Sequence, residues 1–174
     1  MSMEAGVFEF EKDFIGSLNC IPMSVRLKLD CCGVKLSLKQ WNQLPAEERE
    51  RLLSLPCDSA EATANYRQQL VGMVEARTGR APGGLAIDAS PEWAADNRIP
   101  EQLRAHLAAL HLPSLTVAQW ARLGRLQRFA LLKLSRPGHD NGNFVPALRE
   151  FGLLDSWKRA GSLSGLQTAD TVVR

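Results

Sequence analysis

The 174-residue sequence has little that would mark a membrane, secreted or nucleic-acid-binding protein. No apolar run approaches the roughly 18 residues that cross a bilayer as a helix. The acidic N-terminal sequence MSMEAGVFEFEKDF does not have the basic start and apolar centre of a signal peptide. The formal net charge is only +2, so the composition predicts no strong affinity for polyanions. These absences predict a cytoplasmic protein that binds neither membrane nor nucleic acid.

The sequence also lacks the cysteine spacing of a metal centre. Zinc and iron–sulfur sites usually contain cysteines in C-x-x-C pairs, whereas the cysteines of this chain are Cys20, Cys31, Cys32 and Cys57. In a reducing cytoplasm they are expected to be free thiols, and burial as small hydrophobic side chains is the favoured interpretation. No cofactor is therefore expected, while a metal site and a redox-active thiol stay open as alternatives.

What the sequence does contain is helical periodicity. With 45% hydrophobic and 23% charged residues, it has the composition of a globular domain. Apolar residues recur at helical spacing between prolines and glycines, which predicts an all-α fold. Capping boxes predict helix starts at Ser37, Asp58 and Thr116. Gly33 is predicted to close the first helix, and the helix that starts at Thr116 is predicted to run on as one long helix to about Ser135.

The order of these elements occurs twice along the chain. Residues 19–79 and 97–155 share the string I-P-x-x-[VL]-R-x-x-L, followed by L-[ST]-x-x-Q-W-x-x-L-x-x-x-x-R-x-x-L-L. Chance agreement between two amphipathic stretches is the alternative. We interpret the match as two pseudo-repeated helical units whose apolar faces pack into one core, with Trp41 and Trp120 in equivalent places.

This interpretation gives a simple domain plan. Residues 1–160 are predicted to form one compact helical domain, in which 80–96, rich in proline and glycine, connect the two units. The small and polar residues 161–174 are predicted to form a flexible tail.

The predicted helix over residues 119–136 has an unusual side. On a helical wheel its cations share one arc, and Phe129 and Leu132 fall among them. Arginine and aromatic side chains are common anchors of protein interfaces, so this side is predicted to dock an acidic partner. The alternative is that another helix of the same chain covers Phe129 and Leu132. The cations of the arc are Arg122, Arg125, Arg128, Lys133 and Arg136.

The segment after this helix is compact and polar. The dipeptides PG at 137–138 and NG at 141–142 each favour a tight turn, and His139 is followed by Asp140. These side chains could satisfy backbone groups and, through Asn143, cap the next helix. Alternatively they recognise a partner, or His139 acts as a base or metal ligand. No nucleophile motif accompanies His139, which favours a protein that is not an enzyme.

Three strings carry a resemblance to a known family: CIPM at 20–23, QRFALLKLSRPGHDNGN at 127–143 and NFVPAL at 143–148. With further matches over most of residues 7–155, the chain resembles the nitrate reductase associated proteins. These are small accessory proteins known mainly beside cyanobacterial assimilatory nitrate reductase. The resemblance implies a partner, nitrate reductase or its assembly intermediate, whose maturation, stability or activity the protein supports. It implies no catalytic mechanism and no cofactor.

The candidate partner-binding surface combines the unusual side of the predicted helix with the polar turn that follows. The competing hypothesis is a small metal-binding or redox-active helical protein that uses His139 and Asp140 with Cys20 and Cys57. The candidate partner-binding residues are Arg125, Phe129, Leu132, Arg136, His139, Asp140, Asn141 and Asn143.

Overall fold

A computed structural model describes residues 6–13, 20–137 and 142–161 and is mostly helical. The prediction of a helical fold is confirmed in this broad sense. Within the described residues the helices are α1 (Met23–Cys32), α2 (Leu38–Gln43), α3 (Ala46–Ser54), α4 (Ala60–Thr78), α5 (Glu101–Ala109), α6 (Val117–Arg122), α7 (Arg125–Leu134), α8 (Phe144–Glu150) and α9 (Leu153–Arg159), preceded by a 3₁₀ turn at Glu9–Glu11.

Local sequence signals set several helix ends. The Ser37 hydroxyl accepts the backbone N–H of Gln40, while the Gln40 side chain accepts the backbone N–H of Ser37, at 3.2 and 3.0 Å. Thr116 forms the same reciprocal pair with Gln119 at the start of α6. Gly33 closes α1 with a φ of 68°, a conformation that glycine adopts without steric cost. These three predictions are confirmed.

Two other predicted boundaries are wrong. Helix α4 is capped by Ser59, whose hydroxyl accepts the backbone N–H of Ala62 at 3.1 Å, and not by Asp58. The predicted long helix divides into α6 and α7, because Leu123 and Gly124 adopt extended backbone conformations. Glycine is a poor helix former, and the Gln127 side chain accepts the Gly124 backbone N–H at 2.8 Å, so a new helix starts there.

A short antiparallel ladder ties the 80–96 segment to the first half of the chain. Strand β1 (Val34–Lys35) pairs with β2 (Gly83–Gly84), so the all-α prediction needs this small correction. The backbone N–H of Leu85 also donates to the carbonyl of Gly33 at 3.0 Å. A Cβ at Gly33 would lie 2.9 Å from both Leu85 O and Ile87 Cγ1. Glycine is therefore required at this position for two reasons, the positive φ and the close approach of Leu85 and Ile87.

The buried apolar side chains form two clusters. One draws on residues 21–74 and includes the fully buried Tyr66 of α4. The other draws on Met23 and residues 93–157, and α7 supplies five of its buried members. Helix α1 lies between them, because it packs against α4 and against α7, and its Val25 belongs to the first cluster. The prediction of one shared core is therefore wrong.

The two halves nevertheless share local geometry. Trp41 and Trp120 are both buried, 3% and 0% exposed, and each lies in the short helix that follows a capping box. In each half an extended leucine, Leu44 or Leu123, then separates this helix from the next. The origin from two related units, and the domain plan built on it, stay predictions.

Two carboxylates fix the N-terminal 3₁₀ turn. Glu11 is 3% exposed and accepts the backbone N–H groups of Phe8 and Met23 at 3.1 and 2.7 Å. Glu150 of α8 accepts two successive backbone N–H groups of the turn. Burial, the largest effect, raises the pKa of Glu11 to about 7, although its two N–H donors act in the lowering direction.

The raised pKa gives a definite sign to the pH dependence of stability. A carboxyl with a higher pKa when folded holds its proton more tightly in the folded state than in the unfolded state. The contribution of Glu11 to the free energy of unfolding is therefore fully present below pH 4.5, the ordinary pKa of the group. It becomes steadily less favourable as the pH rises towards 7. We expect the Glu11→Gln protein to lose less stability between pH 5 and pH 8 than the parent protein, by up to about 3 kcal/mol. The free energy of unfolding in urea at the two pH values measures this difference.

The matched control for this comparison is Glu75→Gln, which removes one exposed carboxylate from α4. It should keep the pH dependence of the parent protein. A Glu11→Gln protein with the parent slope would show that ionisation of Glu11 does not limit stability.

Candidate functional site

Helix α7, which carries the unusual side, is enclosed by other parts of the chain. It packs against α1, α5 and α8. Phe129 is 0% and Leu132 is 8% exposed, so the prediction that they stand on an exposed face is wrong. The Phe129 ring lies edge-on to Trp93, with centroids 5.9 Å apart, and Gln102 of α5 donates to the Leu132 carbonyl. The alternative, in which the chain itself covers both residues, is confirmed.

Two of the cations on α7 have partners within the chain. The Arg128 guanidinium donates to the carbonyls of Trp93 and Leu123 at 2.9 and 2.7 Å. Lys133 Nζ lies 2.7 Å from a carboxylate oxygen of Asp30 on α1. Burial lowers the pKa of Lys133, and the ion pair with Asp30 opposes this effect. These two cations therefore stabilise the packing of α7.

Arg125 and Arg136 are exposed and lie at opposite ends of the helix. The Arg125 guanidinium lies over the Trp93 ring, 4.8 Å from its centroid, and donates to the Cys31 sulfur at 3.3 Å. The aromatic face orients a cation that still reaches solvent. Arg136 follows the end of α7 and precedes residues outside the described part.

A cleft of about 610 Å³ lies between α7 and the 85–94 segment. Arg125, Phe129, Leu132 and Arg136, four of the candidate residues, all line it. The 85–94 segment also contributes two acidic side chains, Asp88 and Glu92, to the wall of the cleft. The structure therefore brings half of the predicted surface together, with the aromatic and leucine as a covered floor and the arginines at the edge.

The apolar part of this cleft was not predicted from the sequence. Leu85 and Ile87 both line it and are 41% and 61% exposed, so two large apolar side chains stand together at one site on the surface. The available signal was their position, isolated in the glycine-, proline- and acid-containing string PGGLAIDASPE. The β1–β2 pairing that brings them to α7 joins residues too distant in sequence for local patterns to predict.

The remaining candidates do not join this arrangement in the described structure. Asn143 occupies the N-cap position of α8, but its side chain makes no capping hydrogen bond there, so the predicted capping role is wrong. It lines a separate pocket of about 230 Å³ with Cys20 and Arg136. His139, Asp140 and Asn141 lie outside the described residues.

Cysteine and acidic side chains form no metal centre within residues 6–13, 20–137 and 142–161, where no group of three or more potential ligands converges. Cys20 and Cys57 line different pockets. Burial, and secondarily the nearby Glu11 carboxylate, raises the pKa of Cys20. The described residues thus bring no support to a site shared by Cys20 and Cys57, and the proposed ligands His139 and Asp140 lie outside this part of the chain.

Of the helices that the structure describes, none combines the length and apolar character that a bilayer crossing requires.

The chain matches a known family. Residues 7–151 match the model of a family described as conserved nitrate reductase-associated protein. The matched span contains helices α1 to α8 and every residue that lines the cleft beside α7. Comparisons with curated proteins and with solved structures found no match.

The enclosure of α7 predicts a large effect of truncating Phe129. Phe129→Ala leaves a cavity in a fully buried site, so we expect a loss of about 3–5 kcal/mol in the free energy of unfolding. Val117→Ala, at a position that is 48% exposed, should change stability by no more than about 0.5 kcal/mol. Chemical denaturation measures both. A loss below about 1 kcal/mol for Phe129→Ala would contradict the packing described for α7.

Proposed function

Because the chain belongs to the conserved nitrate reductase-associated protein family, we propose that it is an accessory protein of assimilatory nitrate reductase. It supports the maturation, stability or activity of that enzyme by binding the reductase or its assembly intermediate, and does not itself catalyse a reaction. The observation that carries this proposal is the cleft beside α7, where exposed apolar and cationic side chains lie together.

The apolar wall supplies the favourable desolvation that binding needs. Ile87 and Leu85 have large exposed fractions, 61% and 41%, and their burial by a partner removes apolar surface from water. Ile87 also rests on Gly33, which leaves no room for a larger residue beneath it. The apolar wall is therefore anchored to the end of α1 and presents a defined shape to the partner.

Arg125 and Arg136 supply the recognition of charge. A guanidinium presents several N–H donors in one plane and can bind a carboxylate through two hydrogen bonds. Stacking on Trp93 limits the conformations of Arg125, which lowers the entropy that binding costs. The proposed partner surface thus has aspartate or glutamate side chains beside an apolar contact. The segment that contains His139, Asp140, Asn141 and Asn143 follows Arg136 in sequence and stays a candidate extension of this surface.

We also propose that the protein acts in the cytoplasm as one domain derived from two related units. The free cysteines of the described residues suit a reducing compartment. The matched capping boxes at Ser37 and Thr116, each followed by a buried tryptophan, support the duplication.

Binding of the purified reductase from the same host tests the surface. Ile87→Asp should weaken binding at least about tenfold, because it places a carboxylate in the apolar contact. The double reversal Arg125→Glu and Arg136→Glu should have an effect of similar size and should also slow association. Titration calorimetry or surface-immobilised reductase measures the dissociation constants.

Matched controls use exposed positions of α6, outside the cleft. Val117→Asp repeats the introduction of an acid at an exposed apolar site, and Arg122→Glu repeats one charge reversal. Both should bind as the parent protein does. Equal weakening by cleft and control variants would reject the cleft as the contact, whereas a parent protein that binds neither reductase nor its assembly intermediate would reject the accessory role.

A further inference from the structure

Two cysteines that are distant in sequence meet beside α7. Cys31 lies in the last turn of α1, and Cys57 lies in the loop between α3 and α4. Packing of α1 against both of those helices brings the two thiols to the same pocket, close enough to interact with each other. Both residues are half-buried and line one wall of a pocket of about 200 Å³. Small reagents can therefore reach the pair.

Cationic, hydroxyl and acidic groups surround the pair, and the acids are Asp58, which lines the same pocket, and Asp30, which raises the pKa of Cys31. Lys28 lines the same pocket, and its ammonium group is held by the carbonyls of Leu52, Leu53 and Leu55. The Cys31 sulfur accepts from Arg125, as described above. These two positive charges favour a thiolate over a thiol nearby.

Of these two thiols, Cys57 is the one whose pKa is lowered. The pKa of Cys57 is lowered to about 6, and the largest cause is its hydrogen bond with Cys31. Thr63, whose Oγ1 lies 3.5 Å from Cys57 Sγ, also lowers this pKa, as do Lys28 and Arg125. Burial acts in the opposite direction. The same hydrogen bond raises the pKa of Cys31, because it retains the proton, and burial adds to this effect. When a thiolate lies beside a protonated thiol, the thiolate can act as the nucleophile that becomes oxidised. The second thiol can then attack the oxidised sulfur and form a disulfide.

The other two cysteines lack this environment. Cys32 is 2% exposed, and burial raises its pKa to about 11. Cys20 lies beside the Glu11 carboxylate in a different pocket, and its pKa is raised as well. A thiol with a raised pKa is less often ionised and reacts slowly, so these two cysteines serve as internal references.

We propose that Cys31 and Cys57 form a redox-active dithiol that hydrogen peroxide converts to an intramolecular disulfide. This site differs from the pairing of Cys20 with Cys57 considered from the sequence. Its test needs no partner of the cleft, although Cys31 lines both pockets and Arg125 contacts it.

The chemistry balances with peroxide as the oxidant. The Cys57 thiolate attacks one peroxide oxygen, the O–O bond breaks, and a sulfenic acid and hydroxide form. The Cys31 sulfur then attacks the Cys57 sulfur, its proton passes to the departing hydroxyl group, and water leaves as the S–S bond forms. The thiolate and the thiol together supply two electrons, one proton comes from solvent, and one peroxide yields two waters. A dithiol reductant reverses the change by thiol–disulfide exchange.

Peptide mapping of the folded, fully reduced chain after treatment with one equivalent of hydrogen peroxide at pH 7 tests the proposal. Alkylation of the remaining thiols under denaturing conditions identifies which cysteines have reacted. We expect a Cys31–Cys57 linked peptide that disappears on reduction, and alkylatable Cys20 and Cys32. In the folded protein, Cys57 should be alkylated at least about tenfold faster than Cys20, with a rate that rises near pH 6 and not near 9.

Variants separate the two roles. Cys57→Ser should abolish both the linked peptide and the fast reaction, whereas Cys31→Ser should leave an unresolved Cys57 sulfenic acid that dimedone traps. Cys20→Ser is the matched control and should form the Cys31–Cys57 disulfide at the parent rate. No linked peptide from the parent chain with excess peroxide, or equal reactivity of Cys57 and Cys20, would overturn the proposal. Both of these readouts come from the parent chain, so they hold even if a variant fails to fold.

Discussion

The enclosure of α7 is the constraint on which the rest of the structure depends. Burying this helix also takes parts of its cationic side chains out of water, and such groups are costly unless they find partners. Asp30 on α1 pairs with Lys133, and the carbonyls of Trp93 and Leu123 accept from Arg128. The positions of α1, the 85–94 segment and the end of α6 are thereby linked to one helix.

A second kind of cationic contact joins the helices around the other cluster. The last carbonyls of an α-helix have no partner inside the helix. Lys28 of α1 donates to the carbonyls of Leu52, Leu53 and Leu55 at the end of α3. Arg67 of α4 donates in turn to the carbonyls of Cys32 and Gly33 at the end of α1, at 2.6 and 3.1 Å. Side chains from neighbouring helices thus satisfy these helix ends and fix the relative positions of α1, α3 and α4.

What could be predicted from the sequence follows the range of the interaction. The capping boxes at Ser37 and Thr116 and the closure at Gly33 involve residues within one helical turn, and sequence patterns predict them correctly. The burial of Phe129 depends on Trp93, which is distant in sequence and meets α7 only in the tertiary structure. A helical wheel divides a helix into two sides, whereas α7 has neighbours on three, so the wheel failed there. The grouping of Arg125 and Arg136 with Ile87 was partly accessible, because the arginines share α7 and its end, but Ile87 reaches them only through tertiary structure.

The enclosure of α7 also changes how the most distinctive string of the sequence, QRFALLKL at 127–134, should be interpreted. A side chain with neighbours on every side must match their volume and polarity at once, so few alternatives fit. Resemblance along such a segment reports a shared solution to the problem of packing. Differences in function between relatives would then depend on exposed residues such as Ile87 and Arg125. Packing places few limits on substitution at these positions, so only a binding partner restricts them.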